Sequence, residues 1–337
     1  MSSPPGSPAG RAPSRQPEVS VLIPAYEAGA FIQRTLDCAR QQAGAEVRVL
    51  VSVDRSQDAT ADICRAAAGT DPRISVFVHQ ERLGWAGNVN FLLGKADTEF
   101  HFLYFHDDVI APDYCARLLA ALKARPDAAT AHCEIGHYGG STLINQSRAY
   151  DGPPAERLCA HLLTRPGGAV FRALTRRNAV GDSRLLTVGP AGFLAHEPYL
   201  MELVAAGPAL HVPEVLYTRW ERRAGGLISA WLKVPAPELR EAARAAAEAE
   251  LAIADRVAAS PAEREALVFC VYLSLMWSIR AMTEAVHQPI VTGPWDLHAA
   301  FADPRPPGGL DALDPRTHAA ALAAHAKIDR WLALTRP

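Results

Sequence analysis

Asp107 and Asp108 stand side by side directly after the apolar run Phe100 to Phe105. Adjacent carboxylates on a short turn offer hard oxygens that suit Mg or Mn and leave coordination positions for phosphate oxygens. Taken alone, such a pair is also what a solvated turn carries. Asp54 closes a second apolar run, Val47 to Val53; with Ser56 and Asp58 it would equally serve as a turn that caps the next helix. His132-Cys133-Glu134 with His137 contains metal-type ligands, but the spacing fits no common structural zinc site, so a strand edge with a core cysteine is the better expectation. His106, beside the Asp pair, and the aromatics Trp85 and Trp220 are as readily packing residues as ligand contacts.

The elements that must position these residues alternate. Val19 to Ile23, Val47 to Val53, Ile74 to Val78 and Phe100 to Phe105 read as strands. Between them Ala28 to Gln42, Asp58 to Ala68 and Trp85 to Lys95 read as helices, and another reaches about Ala124 with Pro112 in its first turn. Strand–helix alternation with short links predicts an α/β fold with a parallel sheet flanked by helices. Ligands of such sheets bind beyond the carboxyl ends of the strands. Pro24-Ala-Tyr26, Asp54 and Asp107-Asp108 all lie at those ends, so one crevice should gather them. The region from Pro126 to Arg223 is less regular, with Gly139-Gly140, Pro153-Pro154 and Gly167-Gly168 as breaks. Helical pattern returns over Glu238 to Ala258, Pro261 to Val286 and Thr317 to Leu334.

A chain of 337 residues with 49% hydrophobic and 21% charged residues has ample material for a folded core. A net charge of -2 without a polybasic arm argues against nucleic acid as a partner. The six cysteines form no CxxC pair and read as reduced thiols of a cytoplasmic protein. Residues 1–17, rich in Ser, Pro and Gly, read as a disordered tail rather than a signal peptide. The longest apolar run, Ala266 to Ile279, suits a buried helix better than a transmembrane segment. Peripheral contact with a membrane surface stays open.

In order and spacing, Val19-Ser-Val-Leu-Ile-Pro-Ala-Tyr26, Val51-Ser-Val-Asp-Arg-Ser-Gln-Asp-Ala-Thr60, Leu83-Gly-Trp-Ala-Gly-Asn-Val-Asn90 and His106-Asp-Asp-Val-Ile-Ala-Pro112 resemble the family 2 glycosyltransferases. The resemblance spans Glu18 to about Arg223 and is stronger in its first half. It implies a GT-A fold (Rossmann-like, mostly parallel sheet flanked by helices) with a C-terminal helical region. It also implies a nucleoside-diphosphate sugar donor, a divalent cation (Mg or Mn) and inverting transfer to an acceptor hydroxyl. Pro24 and Tyr26 match the turn whose aromatic ring stacks on the donor base. Asp54 matches the acidic residue that accepts a hydrogen bond from a uracil or thymine imide, which favours UDP or dTDP. Gly84 and Asn90 match the turn and helix below the donor. Asp107 is expected at the ribose and the metal, and Asp108 at the metal.

The same resemblance places Glu197, in Gly192 to Leu200, on the general-base position; a helix start there would favour a carboxylate in any case. Asp182 is the alternative base. Arg219, Arg222 and Arg223 could supply positive charge to the leaving diphosphate, or form a solvated basic turn. Arg219-Trp220 resembles the Arg-Trp of processive synthases, but Leu216 stands where their Gln would, and no membrane spans are expected, so transfer of a single sugar is favoured. Other departures are Val53 for the first Asp of the usual pair, Glu27 for Asn and Phe105 for a first Asp.

The expected organisation is a nucleotide-sugar-binding half over 18–125, an acceptor-binding half over 126–230 and a helical region over 231–337. The amphipathic C-terminal helices suit internal packing or a homodimer. Two further classes stay open: a sugar-phosphate nucleotidyltransferase on the same fold, and a non-catalytic interaction protein derived from a transferase. Ala, Arg and Pro usage hints at a bacterial, high-GC source.

Overall fold

The computed structural model describes residues 16–138, 147–164, 168–187, 192–220, 231 and 233–286. Nearly all of the expected tail, the last expected helix, Arg222 and Arg223 lie outside the described residues.

The first hundred residues alternate as expected: β1 (Val19–Ala25), α1 (Ile32–Arg40), β2 (Val47–Val53), α2 (Thr60–Thr70), β3 (Ile74–Val78), α3 (Gly84–Lys95) and β4 (Phe100–Leu103). All four strands run parallel, with β1 between β2 and β4 and β3 outside β2. Every residue of β1 is buried, yet its side chains alternate. Val19, Val21, Ile23 and Ala25 enter one core with α1 and α2, while Leu22 enters a second with α3. A sheet covered on both faces therefore reads as an unbroken apolar run. Each buried Val, Leu or Ile contributes about 1.5–3 kcal/mol.

The chain continues through β5 (Val109–Ile110), α4 (Tyr114–Ala124), β6 (Thr130–Tyr138), α5 (Pro154–Thr164), a 3-10 turn (Val170–Arg172), β7 (Leu174–Arg176), α6 (Arg177–Val180), α7 (Glu197–Ala206), β8 (Ala209–Trp220), α8 (Ala236–Val257) and α9 (Pro261–Val286). Among the described residues one sheet holds all the strands, in the order β3-β2-β1-β4-β7-β6-β8-β5. It is mixed: β7 runs antiparallel to β4 and β6, and β5 antiparallel to β8. The sheet thus runs unbroken past residue 125. His132-Cys133-Glu134 pairs with β8 alone, because the β6–β7 ladder covers only Thr130 and Ala131, and Cys133 is buried, as expected of a strand edge with a core cysteine. Pro112 precedes α4 instead of lying in its first turn, and its carbonyl accepts the Ala43 N–H at 2.7 Å.

The sheet is strongly curled. In a flat sheet β4 and β5 would stand about 19 Å apart, four spacings of roughly 4.8 Å. Only residues 104–108 connect them, and they include a turn closed by Asp108 N–H on Phe105 C=O. The far edge must therefore fold back over β4. It does: Tyr217 of β8 meets Tyr104 with ring centroids 6.0 Å apart.

The C-terminal helices share the core of α3 and α7. Leu239, Ala242, Ala246 and Ala254 of α8 and Leu267, Val271 and Leu275 of α9 pack with Leu200, Leu203 and Val204 of α7. Small residues at helical spacing let α8 lie close. Arg157, buried on α5, donates to the carbonyls of Val204 (3.0 Å) and Ala205 (2.9 Å), which α7 cannot satisfy at its own C-terminus. No helix among the described residues is long and apolar enough to cross a membrane.

Candidate active site

The crevice opens where the sheet parts. The β1–β2 ladder continues to Ala25–Val53, but the β1–β4 ladder stops at Leu22–Leu103. Pro24 has no N–H to offer toward β4, so pairing cannot go on. Its carbonyl is taken instead by His106 Nδ1 at 3.0 Å. This is also where the strand order reverses, the usual ligand crevice of an open α/β sheet.

On the β2 side the two loops are stitched together. Ser56 Oγ accepts the Glu27 N–H (3.0 Å), Thr60 Oγ1 the Ala28 N–H (2.7 Å) and Asp58 Oδ2 the Gly29 N–H (2.7 Å). Partial burial would raise the Asp58 carboxyl, but bonds from Thr60 and Gly29 outweigh it and hold it below the usual range. Glu27 sits at φ 46°, and its Oε1 accepts the Gln57 N–H. The Ser56-x-Asp58-x-Thr60 spacing thus holds the first loop, rather than capping α2 through Asp58 alone.

Asp54 is 1% exposed and faces the loop before α3. Its Oδ1 accepts the N–H groups of Arg55 (3.0 Å) and Leu83 (2.8 Å); its Oδ2 accepts Arg82 Nε (3.0 Å) and the Gly84 N–H (3.0 Å). Those four donors fill the acceptor capacity of a carboxylate. In this arrangement Asp54 ties the loop before α3 to the end of β2. Gly84, at φ +72°, makes the turn that brings two consecutive amides to it. Arg82 is the residue the sequence did not single out. Its guanidinium lies 3.3 Å from the centroid of the Tyr26 ring, and its side chain is half exposed.

The Asp pair sits at the head of the crevice. Arg34 Nη2 donates to the Asp107 carbonyl (2.8 Å), Thr35 Oγ1 to that of His106 (2.7 Å) and the Tyr104 hydroxyl to that of Asp108 (3.1 Å). Asp107 is partly exposed, whereas Asp108 is 3% exposed. Asp108 Oδ2 accepts the Tyr217 hydroxyl at 2.7 Å and both Nε and Nη2 of Arg172 at 3.3 Å. Burial alone would weaken the proton hold of Arg172, but Asp108 and Tyr217 outweigh it and keep the guanidinium charged. Burial pushes the Tyr217 hydroxyl well above its ordinary range, so it acts as a neutral donor. Among the described residues no three His, Cys, Asp or Glu side chains converge as a ready metal cage. The oxygen donors of Asp107 and Asp108 still fit a hard cation of the Mg or Mn type, which characteristically takes one or two carboxylates and completes its shell with phosphate and water.

Glu197 opens α7, with Pro198 in the first turn. The tight turn before it places Gly192 at φ +59° and Leu194 at φ +57°. A Cβ on Gly192 would stand 2.5 Å from Trp85 Nε1. Trp85 follows Gly84 at the start of α3, and its ring lies 6.0 Å from His196. Phe171 meets His196 at 5.3 Å and Phe105 at 5.5 Å. These ring contacts link the start of α3, the turn that follows β4 and the turn that leads into Glu197. His196 Nε2 lies 3.7 Å from Glu197 Oε1.

Three other expected residues have the following surroundings. Asn90 holds the backbone of Leu185 with both ends of its amide (2.9 and 2.8 Å), tying α3 to the chain after α6. Asp182 is fully exposed, 3.7 Å from Arg184. Arg219 lies on β8 opposite His137. Arg172 and Tyr217 were missed because they approach Asp108 only through the curl.

Residues 20–183 match the family model described as glycosyl transferase family 2. The chain is similar to the putative glycosyltransferase EpsH of Bacillus subtilis, 28% identical over 172 residues that cover 50% of each protein. It therefore spans about half the length of that relative. Among solved structures it resembles S. aureus TarS 1–349 in complex with UDP-GlcNAc, at a TM-score of 0.62 and 16% identity over 92% of each chain. It also resembles the mannosyltransferase PcManGT from Pyrobaculum calidifontis in complex with GDP-Man and Mn2+, at a TM-score of 0.51 and 19% identity over 93% of this chain and 87% of that one. At these identities the structural likeness establishes the fold.

Proposed function

We propose, for a chain whose residues 20–183 are a family 2 glycosyltransferase domain, that it moves one sugar from a UDP- or dTDP-type donor to an acceptor hydroxyl with inversion. The observation that supports this most is the cluster of Tyr26, Arg82 and Asp54 just beyond the carboxyl ends of β1 and β2. Tyr26 offers a ring face for the base. Arg82, solvent-accessible and held by Asp54, offers N–H donors that suit a pyrimidine carbonyl.

The acceptor hydroxyl attacks C1 from the side opposite the diphosphate. The new C1–O bond forms as the bond to the diphosphate breaks, and Glu197 receives the hydroxyl proton. The turn that Gly192 packs against Trp85 leads directly into Glu197 at the start of α7. Asp107 and Asp108 would hold a divalent cation. Once bound, it would supply positive charge to the departing diphosphate. The residues of 18–125 form the donor side and those of 126–220 the acceptor side.

Calorimetric titration with UDP, dTDP and GDP, each with and without Mn2+, tests the donor. One pyrimidine diphosphate should bind, and Arg82→Ala should weaken it about tenfold without changing the fold. Glu197→Gln should leave donor binding intact and cut kcat by about 100-fold or more. Preferential GDP binding, or full turnover by Glu197→Gln, would overturn the corresponding part.

A further inference from the structure

We infer that Arg172 is a built-in counter-ion that competes with a divalent cation for Asp108, so that the cation enters effectively only together with a nucleoside diphosphate. This rests on the reading that Asp107 and Asp108 hold a cation.

The geometry carries the argument. Arg172 grips Asp108 Oδ2 through two nitrogens at 3.3 Å, and the side chains are only 14% and 4% exposed. Its guanidinium is caught between the rings of Phe105 (4.9 Å) and Tyr217 (5.2 Å). Gly168, at φ +83°, leaves room for it: a Cβ there would lie 2.9 Å from Arg172 Nη1. Arg172 Nη1 also donates to the Gly168 carbonyl at 3.3 Å, and the Arg172 carbonyl accepts the Tyr114 hydroxyl. The guanidinium is thus fixed from four sides rather than placed by chance.

Its effect follows from charge. Asp107 and Asp108 alone would present two negative charges to a cation, but the buried guanidinium cancels one of them at short range. Among the described residues Arg34 is a further cation beside the pair; it is exposed and donates to the Asp107 carbonyl, so solvent screens it. A cation arriving alone must be attracted by this reduced field and compete with Arg172 for Asp108. A diphosphate brings its own negative oxygens to the same place and restores the attraction. Loss of Arg172 should therefore tighten cation binding in the free enzyme. A purely orienting partner would act in the opposite sense, its removal weakening a metal site by 10–100-fold.

The test measures Mn2+ binding to the full chain by the loss of its free-ion paramagnetic resonance signal, with and without UDP. In the parent protein UDP should tighten Mn2+ about tenfold or more. Arg172→Gln should bind Mn2+ alone about tenfold tighter than the parent and gain less from UDP. Arg172→Lys, which keeps a charge but loses the two-nitrogen grip, should bind it several-fold tighter and decides the matter if Arg172→Gln does not fold. Unchanged or weaker Mn2+ binding in the folded variants would overturn the counter-ion role while leaving the cation site standing. No Mn2+ binding in any protein, with UDP present, would overturn the cation site itself.

Discussion

Asp108→Asn, studied without any metal, is the perturbation that most directly probes the buried pair. The substitution keeps size and shape but removes the charge that Arg172 and Tyr217 address. The guanidinium then remains buried without its counter-charge. Breaking a buried pair from one side costs about 3–5 kcal/mol. For a chain of this size that corresponds to a fall in Tm of roughly 4–7 °C. Two solvated carboxylates would behave in the opposite way. Removing one charge about 5 Å from another in water relieves roughly 0.8 kcal/mol of repulsion and raises Tm slightly. The assay is thermal unfolding followed by circular dichroism in the presence of EDTA, with Asp107→Asn as the companion. Asp107 is partly exposed, so its substitution should shift Tm by only a degree or two. An Asp108→Asn protein as stable as the parent, or more so, would refute the account of the buried pair.

Acid should destabilise the fold well above the carboxylate range. Burial, assisted by Arg177 and Arg184, holds His101 down to about 4, and burial, assisted by His211, holds His132 down to about 3. Each is therefore neutral in the folded state, while the unfolded chain takes up a proton near pH 6.5. Stability is full above that pH and falls as pH drops toward the folded values; by pH 5 each histidine costs about 2 kcal/mol. Denaturant titrations at pH 7 and 5 measure this, and equal midpoints would contradict it. Gly192→Ala should lose at least about 2 kcal/mol, from a positive φ and from the Cβ placed against Trp85, and should lower kcat through the turn that carries Glu197. Unchanged stability and turnover would show that this turn does not constrain the site. Arg157→Leu should cost about 1–3 kcal/mol by leaving the last carbonyls of α7 unsatisfied; a Tm equal to the parent's would argue against that cap.

The sequence was legible where burial leaves a local pattern. β2 and β3 begin and end where their apolar runs do, and α3 differs by one residue, because continuous apolar runs and helical spacing are local signals. The same runs concealed which core each side chain enters. β5 and β7 are two and three residues long, too short to carry a period, and their pairings depend on the curl. Asp54 was recognisable as a special residue, but an aspartate type does not reveal whether it faces a ligand or four N–H donors. Asn90 was legible as a helix residue but not as the amide that holds the Leu185 backbone, because its partner is 95 residues away. Arg172 had a faint signal in Gly167-Gly168 and Phe171 beside it, yet its partner lies 64 residues away. Nothing local announces such a pair.

The curl also separates two boundaries that are easily confused. Sequence similarity to the family model ends at residue 183, before Glu197 and before β8. A fragment cut there would leave β5 without its strand partner, Asp108 without Tyr217, and the apolar face of α3 and α5 without α7, α8 and α9. The stretch that matches the family model is thus smaller than the stretch whose strands and core depend on one another. A chimera built from this chain should take its junctions from the hydrogen-bonded edges of the sheet rather than from the limits of the family match.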